Sequence, residues 1–205
     1  MNEERYYVYK ERAKMRVIAG SAKRIQLKTL EGFETRPTTD RIKETLFNMI
    51  DPWIGDCLFL DLFAGSGSIG IEALSRGAGE AVFIEKNRAA MEVIRDNIRR
   101  TGLGESAELI QEDVFAGLRR LTGRKFDYIF MDPPYQGELE YSTLKLIEEL
   151  GLIAEDGMII VEAALKTDFG YLSSLGYRIV KEKKYKTNKH IFIESVSTIP
   201  GDSKE

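Results

Sequence analysis

The sequence is poor in the residues that cross-link chains and build metal centres. Of 205 residues, one is cysteine (Cys57) and one is histidine (His190). An internal disulfide is excluded, and no metal-binding constellation of these residues can be assembled. Tryptophan occurs once, at Trp53, and proline five times. No apolar run approaches the roughly 20 residues needed to cross a bilayer. The first 14 residues, MNEERYYVYKERAK, are charged and lack the apolar core of a signal peptide. These absences together predict a reducing, cytoplasmic location.

What is present fits a soluble globular chain: 43% of residues are hydrophobic and 31% charged. The length accommodates one compact domain and a small appendage. The net charge of −3 argues against a nucleic-acid partner until its distribution is considered. Residues 5–30 carry a local +7 and residues 178–189 a local +5, which leaves −15 for the remainder. Two concentrated basic segments in an otherwise acidic chain are what a localised phosphate-binding face looks like. A solvated surface that is basic at both ends explains the same numbers, including Lys181, Lys183, Lys184, Lys186 and Lys189.

Four segments are expected: an N-terminal extension over 1–14, a β-hairpin over 15–34, a main domain over 35–196, and a frayed tail over 197–205. In the hairpin, Met15–Ala19 and Ile25–Lys28 flank Gly20-Ser21. Thr39 or Asp40 caps a helix whose apolar stripe is Ile42, Leu46, Met49 and Ile50. From residue 56 the pattern alternates. Strand-like runs lie at 57–62, 81–85, 107–111, 126–131 and 157–162, with helical runs at about 68–76, 87–101, 114–121 and 139–150. After a helix at about 167–175, Tyr177–Tyr185 and His190–Ser195 form an antiparallel hairpin. This is an α/β chain with a seven-stranded, mostly parallel sheet.

The first of these strands runs into Asp61-Leu62-Phe63-Ala64-Gly65-Ser66-Gly67. Continued to Gly70, this matches the G-x-G-x-x-G fingerprint of nucleotide-cofactor loops, and Glu85 lies 20 residues after Gly65. A NAD-dependent oxidoreductase shares that loop. S-adenosylmethionine fits three further details better. Asp61 ends its strand where a carboxylate would hold a methionine ammonium but repel a pyrophosphate. Glu85, with Lys86 beside it, ends the second strand, where it can accept ribose hydroxyls. Asp113 follows the third strand and can accept an adenine amino group, with Val114 against the ring. Each acid, Asp113 especially, has a helix N-cap as its plain alternative.

Asp132-Pro133-Pro134-Tyr135 follows the fourth strand. The two prolines extend the backbone and remove two N–H donors, leaving the Asp132 carboxylate and the Pro133 carbonyl as acceptors. An exocyclic amine has two hydrogens, so a pair of acceptors can hold it and aim its lone pair. Tyr135 offers a ring on which an extruded base can stack. The combination predicts methyl transfer to an amino nitrogen of a base. His190 reads as structural, because this chemistry needs no histidine.

At the level of whole motifs the chain resembles class I S-adenosylmethionine-dependent methyltransferases. More specifically it is similar to the RsmD family, through Met15-Arg16-Val17-Ile18-Ala19-Gly20, Thr35-Arg36-Pro37-Thr38-Thr39-Asp40-Arg41 and Leu46-Phe47-Asn48. The resemblance spans residues 15 to about 194. It implies a Rossmann-like fold, no metal, monomeric action, and methylation of the N2 of one guanine, position 966, of 16S rRNA in an assembled or partly assembled small ribosomal subunit. It also implies that Thr38 contacts the cofactor and that Arg36 and Arg41 meet RNA, beside Arg16, Lys23 and Arg24 of the basic hairpin. DNA adenine-N6 and protein glutamine methyltransferases share the D/N-P-P-Y grip. Against the DNA reading stands the lack of a separate target-recognition domain, and against the protein reading an N-terminus that looks like a basic hairpin rather than a helical peptide-binding domain. The oxidoreductase leaves D-P-P-Y unused, and a non-catalytic RNA-binding protein explains neither motif.

Overall fold

In the computed structural model the described residues are 15–30, 40–50, 52, 54–134 and 139–196. The expectations for the N-terminal extension, Arg36, Thr38, Trp53, Tyr135 and the tail lie outside them.

Helix α1 (Asp40–Ile50) precedes a strict alternation. It comprises β1 (Leu58–Leu62), α2 (Ser68–Ser75), β2 (Glu80–Ile84), α3 (Arg88–Thr101), β3 (Ala107–Ile110), α4 (Val114–Arg120), β4 (Phe126–Met131), α5 (Leu139–Glu149) and β5 (Ile153–Ala164). Strands β6 (Tyr177–Lys184) and β7 (Asn188–Ser195) close the fold. The sheet order is β3-β2-β1-β4-β5-β7-β6. Strands β1 to β5 pair in parallel, while β7 runs antiparallel to both β5 and β6. The expected seven-stranded sheet and terminal hairpin are therefore present. The order reverses between β1 and β4, and a doubly wound sheet opens its ligand crevice at the carboxyl ends of the strands at such a point.

Both faces of the central strands β1, β2 and β4 are covered, which is why these strands are apolar almost throughout, whereas the edge strand β6 is exposed along most of its length. On one face Phe59, Phe83, Phe130, Ile160 and Phe192 pack with Phe47 of α1, Ile71 of α2 and Ile94 of α3. On the other, Leu60, Val82, Ile129 and Ile159 pack with Leu118 of α4 and Ile147 of α5. The inward face of α1 differs from the expected stripe. It is Lys43, Leu46, Phe47 and Ile50, whereas Ile42 and Met49 are half-buried.

The helix expected at about 167–175 is reduced to one 3₁₀ turn, Leu172–Leu175. Upstream, the Asp168 carboxylate accepts from Gly170 N–H at 3.1 Å, a local bond that competes with helical pairing. Strand β5 is longer than its apolar run, because it begins at Ile153 and passes a register irregularity opposite Phe126–Tyr128.

Residues 15–28 pair as a hairpin. Val17 N–H donates to Ile25 O at 3.0 Å, Leu27 N–H donates to Met15 O at 2.8 Å, and Arg16 and Gln26 form an antiparallel bridge. Val17, Ala22 and Leu27 are buried in the same core as α1 and α2. The turn closes against the last residue of α2 so tightly that a Cβ on Gly20 (φ +80°) would lie 1.6 Å from the Ser75 carbonyl oxygen. Only glycine fits there.

The clamp behind this docking is Glu72. Its buried carboxylate accepts from Ile18 N–H at 2.8 Å, Ala19 N–H at 3.0 Å, Arg76 Nε at 2.9 Å and Lys43 Nζ at 3.2 Å. Lys43 also donates to Arg16 O at 2.7 Å. One acid thus ties the hairpin, α1 and α2 together. Burial holds the Lys43 ammonium below its ordinary proton affinity, and Glu72 opposes that shift.

Candidate active site

The turn after β1 holds three left-handed residues, Phe63 (φ +58°), Gly65 (+56°) and Gly67 (+73°). A bulky residue with positive φ is unusual and clusters at binding sites. The glycines of the fingerprint divide by role. A Cβ on Gly70 would meet Phe83 Cε1 at 2.4 Å and one on Gly67 would meet Ile94 at 3.2 Å, so those two serve packing against the sheet and α3. Around Gly65 the nearest atom is Phe63 O at 3.9 Å, which leaves that position open for a ligand to approach.

Neighbouring elements fix the loop. Ala64 N–H donates to Ile84 O at 3.2 Å, Gly67 N–H donates to Ala64 O at 2.7 Å, and Ser66 Oγ donates to Met15 Sδ at 3.4 Å. Asn97 of α3, fully buried, donates to Ser66 O and Lys28 O at 3.0 Å each and accepts from Lys28 N–H at 2.7 Å. Asn97 belongs to none of the motifs legible in the sequence. A buried amide on the apolar face of α3 was the available signal.

The predicted acids gather at the carboxyl ends of the strands. Asp61 is 2% exposed and accepts one hydrogen bond, from Gly70 N–H at 2.9 Å. Burial pushes its carboxyl up to about 8. The Gly70 N–H works against that rise, and the Glu85 and Asp132 carboxylates add to it. A buried acid that accepts only from Gly70 N–H among the described residues keeps acceptor sites that fit a cationic group. Glu85 bridges two turns, accepting from Gly65 N–H at 2.9 Å and Asn87 N–H at 2.7 Å. It keeps acceptor capacity for hydroxyl donors on both oxygens. Asp113 caps α4, its Oδ1 accepting from Phe115 N–H at 3.0 Å and Ala116 N–H at 3.1 Å. The capping alternative therefore holds for this residue, with Oδ2 left as the atom for a ligand. Val114 is buried behind it, and Lys86 is exposed.

Asp132 follows β4 directly, with Pro133 buried and Pro134 exposed. Protein surrounding Asp132 and the nearby Glu162 carboxylate push its carboxyl up to about 8. Solvent reaches the side chain and screens part of that shift, so its upward direction is the firm statement.

The predicted RNA contacts separate. Arg16 pairs with Asp40 at 2.8 Å, and Arg41 is exposed on α1. Lys23 and Arg24 lie exposed in the turn beside Ser75. That end of α2 is roughly 10 Å along the helix from the cofactor loop, at 1.5 Å per residue. Among the C-terminal lysines, Lys189 is not solvated: it is 8% exposed, 3.4 Å from Glu182, and its Nζ lies over the Phe169 ring.

A family profile described as Conserved hypothetical protein 95 matches residues 15–194. Ribosomal RNA small subunit methyltransferase D of Escherichia coli (strain K12) is 36% identical over 152 residues, covering 74% of this chain and 76% of that one. The chain belongs to the RsmD family. Within that family, YlbH of Bacillus subtilis (strain 168) is 43% identical over 152 residues, covering 72% of this chain and 82% of its own. The solved structure of Escherichia coli yhhF superposes with a TM-score of 0.79 at 32% identity, covering 89% of this chain and 98% of that one. The fold whose strand ends carry Asp61, Glu85 and Asp132 is thus that of the RsmD family.

Proposed function

We propose that this chain transfers a methyl group from S-adenosylmethionine to the exocyclic N2 of a guanine in 16S rRNA, guanine 966 by resemblance. The acceptor would be presented by an assembled or partly assembled small subunit to a single copy of the chain. The observation that carries the reading is Asp132-Pro133-Pro134, held just after β4, the strand paired in parallel with β1, which carries the buried Asp61. The substrate class comes from the relatives named for small-subunit rRNA.

Bound S-adenosylmethionine would supply an electrophilic methyl group. Asp61 would hold the methionine ammonium, Glu85 the ribose hydroxyls, Asp113 and Val114 the adenine, and Thr38 the methionine end. The Asp132 carboxylate and Pro133 carbonyl would hold the two amine hydrogens of the base and aim its lone pair. Asp132 would then take the proton that leaves nitrogen. Tyr135 would stack on the base.

The test is methyl transfer from labelled S-adenosylmethionine to small subunits from cells lacking this gene, followed by nucleoside mass spectrometry. N2-methylguanosine at one site is expected. No transfer to subunits or naked rRNA, despite tight cofactor binding, would discard the substrate.

Asp61→Asn is expected to separate binding from stability. Burial pushes the folded-state carboxyl up to about 8, above its unfolded value. The wild-type chain therefore loses stability as pH rises from about 4 to 8. Asparagine keeps the acceptor for Gly70 N–H without the charge. Its melting temperature should equal the wild type's near pH 4 and exceed it by pH 9, by at least about 1 kcal/mol equivalent. Affinity for S-adenosylhomocysteine should fall. Parallel melting curves across that pH range would remove Asp61 as a buried ionising group.

Replacing Arg16, Lys23 and Arg24 together with Ala should weaken RNA binding and flatten its dependence on salt concentration. An unchanged salt slope would exclude the hairpin from the RNA face.

A further inference from the structure

The open end of the hairpin rests on the cofactor loop, and one buried side chain joins the two. Asn97 of α3 is 0% exposed. Its Nδ2 donates to Lys28 O and to Ser66 O at 3.0 Å each, and its Oδ1 accepts from Lys28 N–H at 2.7 Å. A single orientation of the carboxamide satisfies all three groups, because two are carbonyls and one is a donor. Lys28 therefore has both backbone groups on Asn97, as a strand residue has on its ladder partner. The Lys28 ammonium pairs with Asp96, the preceding residue of α3. From the other strand of the hairpin, Met15 Sδ accepts from Ser66 Oγ at 3.4 Å. Both ends of the hairpin, Met15 and Lys28, thus converge on Ser66.

Ser66 stands between Gly65 and Gly67, at φ +56° and +73°, and glycine has the widest backbone freedom of any residue. A peptide flanked in this way is fixed by its hydrogen bonds rather than by its own torsional preferences. Glu85 takes Gly65 N–H, Ala64 O takes Gly67 N–H, and Asn97 holds the Ser66 carbonyl. The turn end of the hairpin is secured separately. Ile18 and Ala19 N–H donate to Glu72, and Ala22 N–H donates to Ser75 Oγ at 3.0 Å. Loss of Asn97 leaves those contacts in place, so its role at the loop is separable from the seating of the hairpin as a whole.

We propose that Asn97 is a positioning residue that couples the docked hairpin to the cofactor site, so that cofactor binding firms the hairpin and a seated hairpin tightens cofactor binding. Asn97 acts without touching the cofactor. It fixes the Ser66 carbonyl before the ligand arrives, and ordering a loop in advance removes that cost from binding. The backbone of Lys28 holds the other side of the same amide, and linkage makes the effect reciprocal. The role rests on reading the loop as the S-adenosylmethionine site, and it holds whichever acceptor is methylated.

Amide hydrogen exchange with and without S-adenosylhomocysteine, beside calorimetric titration, tests the coupling. In the wild type the ligand is expected to slow exchange at Leu27 and Lys28 by at least about fivefold, the lower range of coupling between sites. Ala22, at the turn, reports general stabilisation by the ligand and should slow less. Asn97→Ala should raise the Kd for S-adenosylhomocysteine by about five- to tenfold, the scale of one hydrogen bond, and abolish the extra slowing at Leu27. Asn97→Asp, which keeps an acceptor for Lys28 N–H but offers no amide donor to the two carbonyls, should share both losses. A purely structural Asn97 would speed exchange in the free and bound chains alike, leaving the bound-to-free ratio and the affinity at wild-type values. That result would overturn the proposal. So would ligand binding to the wild type that slows Leu27 and Lys28 no more than Ala22, a comparison that requires no variant to fold. A wild-type chain that does not bind S-adenosylhomocysteine would remove the cofactor reading, and the coupling with it.

Discussion

Replacing Glu72 with alanine is expected to destabilise the folded chain by about 3–5 kcal/mol, a large fraction of a domain's total stability. The substitution removes the shared acceptor of four donors and leaves the Lys43 ammonium buried without its counter-charge. Such uncompensated burial is costlier than the net value of the ion pair itself. Urea denaturation should show a lower midpoint. Glu72→Gln, which keeps acceptor capacity but loses the charge, should fall between the two. A loss below about 1 kcal/mol for alanine, the scale of a single ordinary hydrogen bond, would mean that the clamp is not what holds the hairpin.

Asp132→Ala carries the largest expected effect on activity. Methyl transfer should fall by at least about 10²–10³-fold, the scale found when one preorganised polar partner of a transition state is removed. Affinity for S-adenosylhomocysteine should stay within a few fold, because cofactor binding is assigned to Asp61, Glu85 and Asp113. Single-turnover methylation beside calorimetric titration separates the two quantities. Normal turnover would remove Asp132 from the chemistry.

The sheet was legible because burial on both faces writes nearly continuous apolar runs, and because helices with one wet face alternate between them. The strand-end acids were legible for a related reason. Asp61, Glu85 and Asp113 interrupt the pattern at the place where strands give way to turns. What escaped notice were partnerships made across long sequence distances. Glu72 sits in an apolar helix as if facing solvent, and only the docked hairpin, more than 50 residues upstream, makes it an anchor. The contact of His190 with Glu162 lies in a cross-strand register that local spacing does not reveal. The helix expected at 167–175 failed for the opposite reason. A short-range bond within Asp168–Gly170 competed with a periodicity that was too brief to prevail.

The docking of the hairpin also has a consequence during synthesis. Residues 15–28 leave the ribosome early, but their partners Glu72, Ser75 and Asn97 emerge later. At an elongation rate of about 5–20 residues per second, the interval between Lys28 and Asn97 is roughly 3–14 s. Throughout that interval Val17, Ala22 and Leu27 have no finished surface to cover them. A nascent chain of this protein therefore carries the apolar side chains of this segment uncovered for seconds before Glu72, Ser75 and Asn97 are available to dock it.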